Sequence, residues 1–155
     1  MADITMSYAS LEEAANKIKS MYKIIGELES LGDSGETISR VLARRNIHKK
    51  IFDQDTVKKI EGMVAAVDHA YEAMLANLEA AHKGTLEEIS NAYNAEDRIN
   101  NLRNNLREAE IEELESNRKN YHASVYYMDI VSELEKMGDF IINISQTLEK
   151  SFVKK

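Results

Sequence analysis

The chain contains no cysteine and no proline, and only six of its 155 residues are glycine. The absence of cysteine excludes disulfide bonds and thiolate metal sites, and it fits a reducing compartment. The absence of proline removes the residue that breaks a helix most strongly. Together with a composition rich in Ala, Glu, Lys, Leu and Asn, these absences favour an all-helical protein.

The chain also lacks an excess of positive charge and a long apolar run. Its formal net charge is −7, so no basic surface is available to neutralise the phosphates of a nucleic acid. No stretch approaches the roughly 18 apolar residues that a membrane span needs, and no signal-peptide core opens the chain. We therefore expect a soluble protein with no transmembrane segment and no nucleic acid among its partners.

One stretch of the sequence occurs twice. Residues 24–33 read IIGELESLGD and residues 130–139 read IVSELEKMGD, and each copy continues with isoleucine, serine and leucine at the same offsets. The two copies align without a gap, and a repeat of this length indicates two equivalent helices.

Each copy of the repeat carries two acids four residues apart, Glu29 with Asp33 and Glu135 with Asp139. Because each helical residue rotates about 100°, the two acids of a pair share one face, roughly 130–180° from the apolar stripe. We therefore expect both pairs to point outward, either as a solvated face or as ligands of one cation. The glycine before each aspartate costs roughly 1 kcal/mol in a helix, which indicates close approach of another backbone.

The apolar spacing predicts four long helices joined by short links. The first helix runs from Ser10, which forms a capping box with Glu13, to about Arg45, with an irregularity near Gly32 to Gly35. Helices joined in this way are expected to pack as an antiparallel up-down bundle with crossing angles of roughly 20°.

The second and third helices are predicted to form a hairpin. Asp53 or Asp55 caps the second helix, and Gly84 marks its end. Thr85 and Glu88 form a second capping box, which predicts the start of the third helix.

No pattern typical of an enzyme is found in this sequence. It has no nucleophile elbow, no glycine loop that would cradle a phosphate, and no histidine at a recognisable spacing from a reactive serine. It also lacks the Glu-x-x-His pairs of di-metal oxidases. We therefore predict a protein that is not an enzyme.

The repeated motif E-L-E-x-[LM]-G-D, followed by a small polar residue and I-S, resembles the signature of PhoU-type domains. Residues 27–34 are most similar to the PhoU-like C-terminal domain of bacterial sodium/phosphate cotransporters. The resemblance implies one domain over residues 1–155. Within it, residues 10–45 are the closing helix of a partial first repeat, and residues 55–153 are a complete three-helix repeat.

The resemblance also implies a function and a set of site residues. PhoU-like domains are all-helical regulators of phosphate uptake that bind metal ions through their acidic motifs. The ion would be divalent or trivalent: iron, zinc, manganese or magnesium. The implied ligands are Glu29, Asp33, Glu96, Asp97, Glu135 and Asp139. Where such domains place a further acid on the third helix, this chain has Asn100, which lowers the charge available to a cation.

The implied partner is the membrane domain of a transporter or another component of phosphate uptake, at the cytoplasmic face of the membrane. A different interpretation stays open, in which the chain is a metal-free helical module for protein–protein interaction or oligomerisation. An exposed apolar edge on the first helix would favour a homodimer.

Overall fold

Four helices make up most of the structure, a computed structural model that describes residues 2–48, 52–116 and 120–154, with side chains from residue 7 onward. In chain order the helices are α1 (Ala2–Ile47), α2 (Gln54–His82), α3 (Ser90–Glu115) and α4 (Tyr121–Phe152). No strand occurs in these residues. The predicted all-α fold is confirmed.

Local sequence explains where two of the helices begin and where one ends. The Asp53 carboxylate caps α2 by accepting a hydrogen bond from the backbone N–H of Thr56 at 2.7 Å, so the first of the two predicted caps is confirmed. The Asn120 side chain caps α4 in the same way, with the backbone N–H of His122 at 2.9 Å. Gly84 follows α2 with φ of +70°, a left-handed conformation that favours glycine.

Two predicted features of α1 are wrong. The helix begins at Ala2 rather than at Ser10, because no residue before Ser10 interrupts it and a capping box contributes only about 1 kcal/mol. The irregularity expected near Gly32 to Gly35 is also absent, since α1 is continuous there. A cost of about 1 kcal/mol per glycine is small beside the stabilisation that a helix of this length gains from packing.

The predicted start of α3 is also wrong, because α3 begins at Ser90 and not at Thr85. Leu86 and Ile89 in the connection are 3% and 1% exposed, so burial of these side chains holds the segment in a non-helical conformation. The Leu86 carbonyl accepts a hydrogen bond from the backbone N–H of Lys154 at 2.7 Å, which ties the connection to the end of α4.

The central helix is α4. Helices α2, α3 and α4 form a three-helix bundle, and α1 packs along α4 without close backbone contact to the described parts of α2 and α3. The hydroxyl groups of Ser20 and Ser151 are hydrogen-bonded at 2.6 Å, and Asn143 Nδ2 donates to Glu27 Oε2 at 3.4 Å. These contacts show that α1 runs antiparallel to α4 and lies outside the three-helix core.

A buried polar contact fixes the register of the three-helix bundle. Asn77 Nδ2 of α2 donates to Ser145 Oγ of α4 at 3.1 Å and to Asn91 Oδ1 of α3 at 3.0 Å. Asn77 and Ser145 are 4% and 0% exposed. Because a buried polar group without its partners is costly, this contact favours one alignment of the three helices.

Candidate functional site

The acids of the second motif lie where α3 packs against α4, and Gly138 allows that packing. A methyl group at Gly138 would lie 3.0 Å from Ile99 Cδ1 of α3. The close neighbour is therefore a side chain, and the predicted approach of another backbone is wrong at this glycine. At the equivalent Gly32 of α1, no described atom of a neighbouring element lies within 4 Å. The prediction is wrong there as well, because Gly32 is exposed and no described helix lies against it.

Glu96 of α3 is half-buried and Asp139 of α4 is exposed, and these two acids, here called the Glu96–Asp139 pair, repel each other electrostatically across the contact of the two helices. Burial raises the pKa of Glu96, and the negative charges of Asp139 and Asp97 raise it further. Burial also raises the pKa of Asp139, whereas the positive charge of Arg103 acts in the opposite direction. Both carboxyl groups therefore hold a proton more readily than the same groups do free in solution.

Glu135 does not point into solvent, and the outward orientation predicted for it is wrong. Its carboxylate forms an ion pair with Arg103 of α3, and Arg107 Nη2 lies 3.9 Å from its other oxygen. The side chains of Glu135 and Arg103 are each 19% exposed. The positive charges on α3 neutralise this motif acid within the protein.

Arg103 and Arg107 belong to this candidate site, and the sequence interpretation missed them because it followed only the acids. A signal for them exists in the sequence. Glu96, Asn100, Arg103 and Arg107 are separated by four, three and four residues, which places all four on one face of α3. The face of α3 that meets the motif of α4 is therefore mixed in charge.

The acids of the first motif lie apart from this contact. Glu29 and Asp33 are exposed, whereas Ile24 and Ser34 are buried where α1 packs on α4. Asp97 is exposed as well. Within the described ranges, no three His, Cys, Asp or Glu side chains are arranged so that they could hold a metal ion.

The donor groups on α3 and α4 do not fit a resident site built from several carboxylates. Arg103 supplies the positive charge that Glu135 would otherwise draw from a metal ion, and Asn100 is neutral. The remaining pair, Glu96 with Asp139, can accept hydrogen bonds or ion pairs from a cationic group. Metal binding by the six acids stays a prediction.

The family model described as the PhoU domain matches residues 60–148, which is more than half of the chain. The chain belongs to the PhoU family. The matched residues begin in α2 and end in α4, so they cover the three-helix bundle and the Glu96–Asp139 pair. PhoU domains are regulatory, non-enzymatic domains connected with phosphate homeostasis.

No curated protein and no solved structure is similar enough to this chain to match it. In the part of the chain that the structure describes, no helix combines the length and the apolar character that a membrane span requires.

Proposed function

We propose that this PhoU domain regulates phosphate uptake by contacting a transporter at the cytoplasmic face of the membrane. The observation that carries the proposal is the family match over the three-helix bundle. Residues 27–34 resemble the C-terminal domain of sodium/phosphate cotransporters, which is the reason to name the membrane domain of such a transporter as the partner.

The Glu96–Asp139 pair supplies the chemistry for this contact. Glu96 is half-buried, Asp139 is exposed, and the negative charge of Asp139 acts on Glu96, so a cationic group that neutralises both carboxylates is favoured there. A lysine or arginine on a cytoplasmic loop of the transporter is such a group, and these loops carry an excess of both residues. Charge complementarity of this kind gives a contact its specificity more than its strength.

Sodium-driven uptake of radiolabelled phosphate tests the proposal. Vesicles that contain the sodium/phosphate cotransporter of the same organism are prepared with and without the chain inside. We expect the chain to change the uptake rate severalfold, and the Glu96→Gln/Asp139→Asn variant to lose this effect. The Asp68→Asn/Glu72→Gln variant is the matched control, because it removes two exposed acids from α2 and should keep the effect. Equal uptake with and without the chain would contradict the proposal.

Metal binding is the finer part of the function that the sequence predicts. A bound iron, zinc, manganese or magnesium ion would act as the cationic group in place of a basic side chain. Calorimetric titration of the purified chain with each ion tests this prediction, with the Glu135→Ala/Asp139→Ala variant as the comparison. Stoichiometric binding that the variant loses would support a metal site, whereas no heat with any ion would leave the contact to basic side chains.

The alternative function, a metal-free interaction or oligomerisation module, is favoured by a different surface. Large apolar side chains are exposed along α1, among them Tyr22, Ile25 and Ile47. These side chains lie outside the three-helix bundle that carries the acidic pair, so the two functions are compatible in one chain.

A further inference from the structure

A groove, here called the lysine groove, runs between the N-terminal half of α1 and the C-terminal end of α4. Its volume is about 1190 Å³, which is at the upper end of the roughly 300–1,000 Å³ that small-molecule sites occupy. None of the acids of the two motifs lines it, so it is separate from the contact proposed above. Five lysines line the groove: Lys17, Lys19, Lys23, Lys150 and Lys154.

The charge of the lysine groove is opposite in sign to that of the whole chain. The chain has a formal net charge of −7, whereas the lysines of the groove outnumber its three glutamates. Glu13 is paired with Lys17 at 3.4 Å. Glu149 accepts a hydrogen bond from the Tyr93 hydroxyl at 3.2 Å, and the third glutamate, Glu12, is exposed. A local excess of positive charge on an acidic protein attracts an anion to this place rather than to the rest of the surface.

The lysines stand on two walls of the groove. Lys19 and Lys23 are four residues apart on α1, so they share one face of that helix. Lys150 and Lys154 are also four residues apart, at the end of α4. The backbone N–H of Lys154 donates to the Leu86 carbonyl at 2.7 Å, which fixes the end of this second wall.

The contact between α1 and α4 brings lysines of both walls to the same height. The hydrogen bond between Ser20 and Ser151 places these two serines opposite each other. Because the helices are antiparallel, Lys150 lies at a height between Lys19 and Lys23. These three side chains therefore start within about one helical turn, roughly 6 Å along the axis.

Four lysines of the groove have no acidic partner. Among the described residues, no carboxylate oxygen lies within 4 Å of the amino groups of Lys19, Lys23, Lys150 and Lys154. Like charges gathered along one groove repel each other, so an anion that neutralises several of them at once is favoured there.

Two hydroxyl groups add a hydrogen-bond donor between the walls. Ser20 and Ser151 line the groove and are half-buried, and their Oγ atoms lie 2.6 Å apart. One of these hydroxyl groups donates to the other, which leaves the hydrogen of the second for an acceptor outside the pair. A phosphate oxygen is such an acceptor.

We propose that the lysine groove binds a soluble anion that carries several linked phosphate groups. Linked phosphates carry negative charge at short, regular intervals, which suits amino groups distributed along two walls. A single phosphate ion is too small to neutralise lysines on both walls at once. This inference goes beyond the proposed role in phosphate uptake and does not depend on it.

Calorimetric titration of the purified full chain with sodium tripolyphosphate tests the proposal. We expect binding at a single site, with affinities for orthophosphate and for citrate at least about tenfold lower. The Lys23→Gln/Lys150→Gln variant removes one lysine from each wall and should weaken tripolyphosphate binding at least about tenfold. The Lys58→Gln/Arg98→Gln variant is the matched control, because it removes two exposed cationic groups outside the groove and should keep the original affinity.

Three outcomes of this titration would overturn the proposal. They are no binding of tripolyphosphate, equal affinity for tripolyphosphate and citrate, and an equal loss of affinity in the two variants. The first would show that the lysines hold no such anion, the second that phosphate groups are not recognised, and the third that only the overall charge of the chain matters.

Vesicles that contain phosphatidylglycerol distinguish a soluble ligand from a lipid surface, because anionic headgroups also attract lysines. We expect the chain to remain in solution when the vesicles are sedimented, since the lysines line a concave groove. Sedimentation with the vesicles that the Lys23→Gln/Lys150→Gln variant loses, together with no binding of tripolyphosphate, would assign these lysines to a membrane. Neither measurement involves the transporter, so a negative result here would leave the role of the Glu96–Asp139 pair to the uptake experiment.

Discussion

Helices α1 and α4 carry the same motif in different surroundings. In α4 the motif is at the centre of the protein, because α1, α2 and α3 all pack on that helix. Its Ile144 and Ser145 are 0% exposed, whereas the equivalent Ile38 is half-buried and Ser39 is exposed in α1. The motif therefore does not determine burial by itself. The number of helices that pack on it does.

The acids of the two motifs differ for the same reason. Glu135 is neutralised by Arg103 and Asp139 lies near Glu96, because α3 faces that side of α4. Glu29 and Asp33 of α1 are exposed, and the described parts of α3 do not pack on those of α1. The chemistry of the motif depends on the helix opposite it as much as on the motif itself.

The largest difference in stability between equivalent substitutions in the two helices is expected at the motif leucines. Leu134→Ala should lower the free energy of unfolding by about 2–4 kcal/mol, because Leu134 is 4% exposed and its truncation leaves a cavity. Leu28→Ala should cost less than about 1 kcal/mol, because Leu28 is 39% exposed. Urea denaturation followed by circular dichroism measures both values.

Repeating both measurements at several protein concentrations tests whether the exposed face of α1 binds a second copy of the chain. If Leu134→Ala and Leu28→Ala lowered the free energy of unfolding equally in dilute protein, Leu28 would be as important to the core as Leu134, and α1 would not lie outside the three-helix bundle. A cost of Leu28→Ala that grows as the protein concentration rises would indicate that a second copy of the chain covers the exposed face of α1.

Substituting alanine for the two motif glycines should change the free energy of unfolding in opposite directions. Gly32→Ala should raise the free energy of unfolding by up to about 1 kcal/mol, the difference in helix propensity between the two residues. Gly138→Ala should lower it by about 1–2 kcal/mol, because the new methyl group would meet Ile99 Cδ1 at 3.0 Å and Ile99 is 1% exposed. Thermal denaturation of both variants measures the difference. If both substitutions stabilise the chain, Ile99 moves aside and the glycine is not needed for the contact.

A smaller difference in the free energy of unfolding is expected between alanine variants of two arginines, one opposite the α4 motif and one on α1. Arg103→Ala should lower the free energy of unfolding by about 1–2 kcal/mol, because it removes the main positive charge beside the half-buried Glu135. Arg40→Ala on α1 should cost less than about 0.5 kcal/mol, because the ion pair of Arg40 with Glu36 is exposed. Urea denaturation measures both, and equal costs would show that the Glu135 contact is no more than a surface pair.

Those parts of the fold that depend on local chemistry could be predicted from the sequence. The cap at Asp53 and the helix end at Gly84 follow from the types of residue at those positions. The start of α3 could not be predicted in this way. The capping box at Thr85 contributes only about 1 kcal/mol, and burying Leu86 and Ile89 contributes more than that.

The candidate site could be predicted only in part. The spacing of the motif identifies Glu135 and Asp139, but their neighbours Arg103 and Glu96 come from another helix. Which side chains meet depends on the register of α3 against α4, and the contact of Gly138 helps to fix that register. Periodicity identifies the faces of a single helix, whereas the alignment of two helices depends on how their side chains pack.

The smallest change in the free energy of unfolding is expected from substituting Glu96, which the charge of the α4 motif acid Asp139 acts on. Burial and the charges of Asp139 and Asp97 raise the pKa of Glu96, so the folded chain binds this proton more readily than the unfolded chain does. The charged carboxylate therefore lowers stability at neutral pH, and the penalty is relieved as the pH falls through the raised pKa.

Glu96→Gln should accordingly raise the free energy of unfolding at neutral pH by a few tenths of a kcal/mol, roughly the size of a like-charge contact on a helix. The gain should shrink as the pH falls through the raised pKa of the folded state and should vanish below the ordinary glutamate value of 4.5, where the carboxyl group is protonated in both states. In an Asp139→Asn background the gain at neutral pH should also be smaller, since one of the repelling charges is gone. A gain in stability that depends on neither pH nor Asp139 would mean that repulsion between Glu96 and Asp139 is not its source. The α4 motif would then not differ from the α1 motif in this respect.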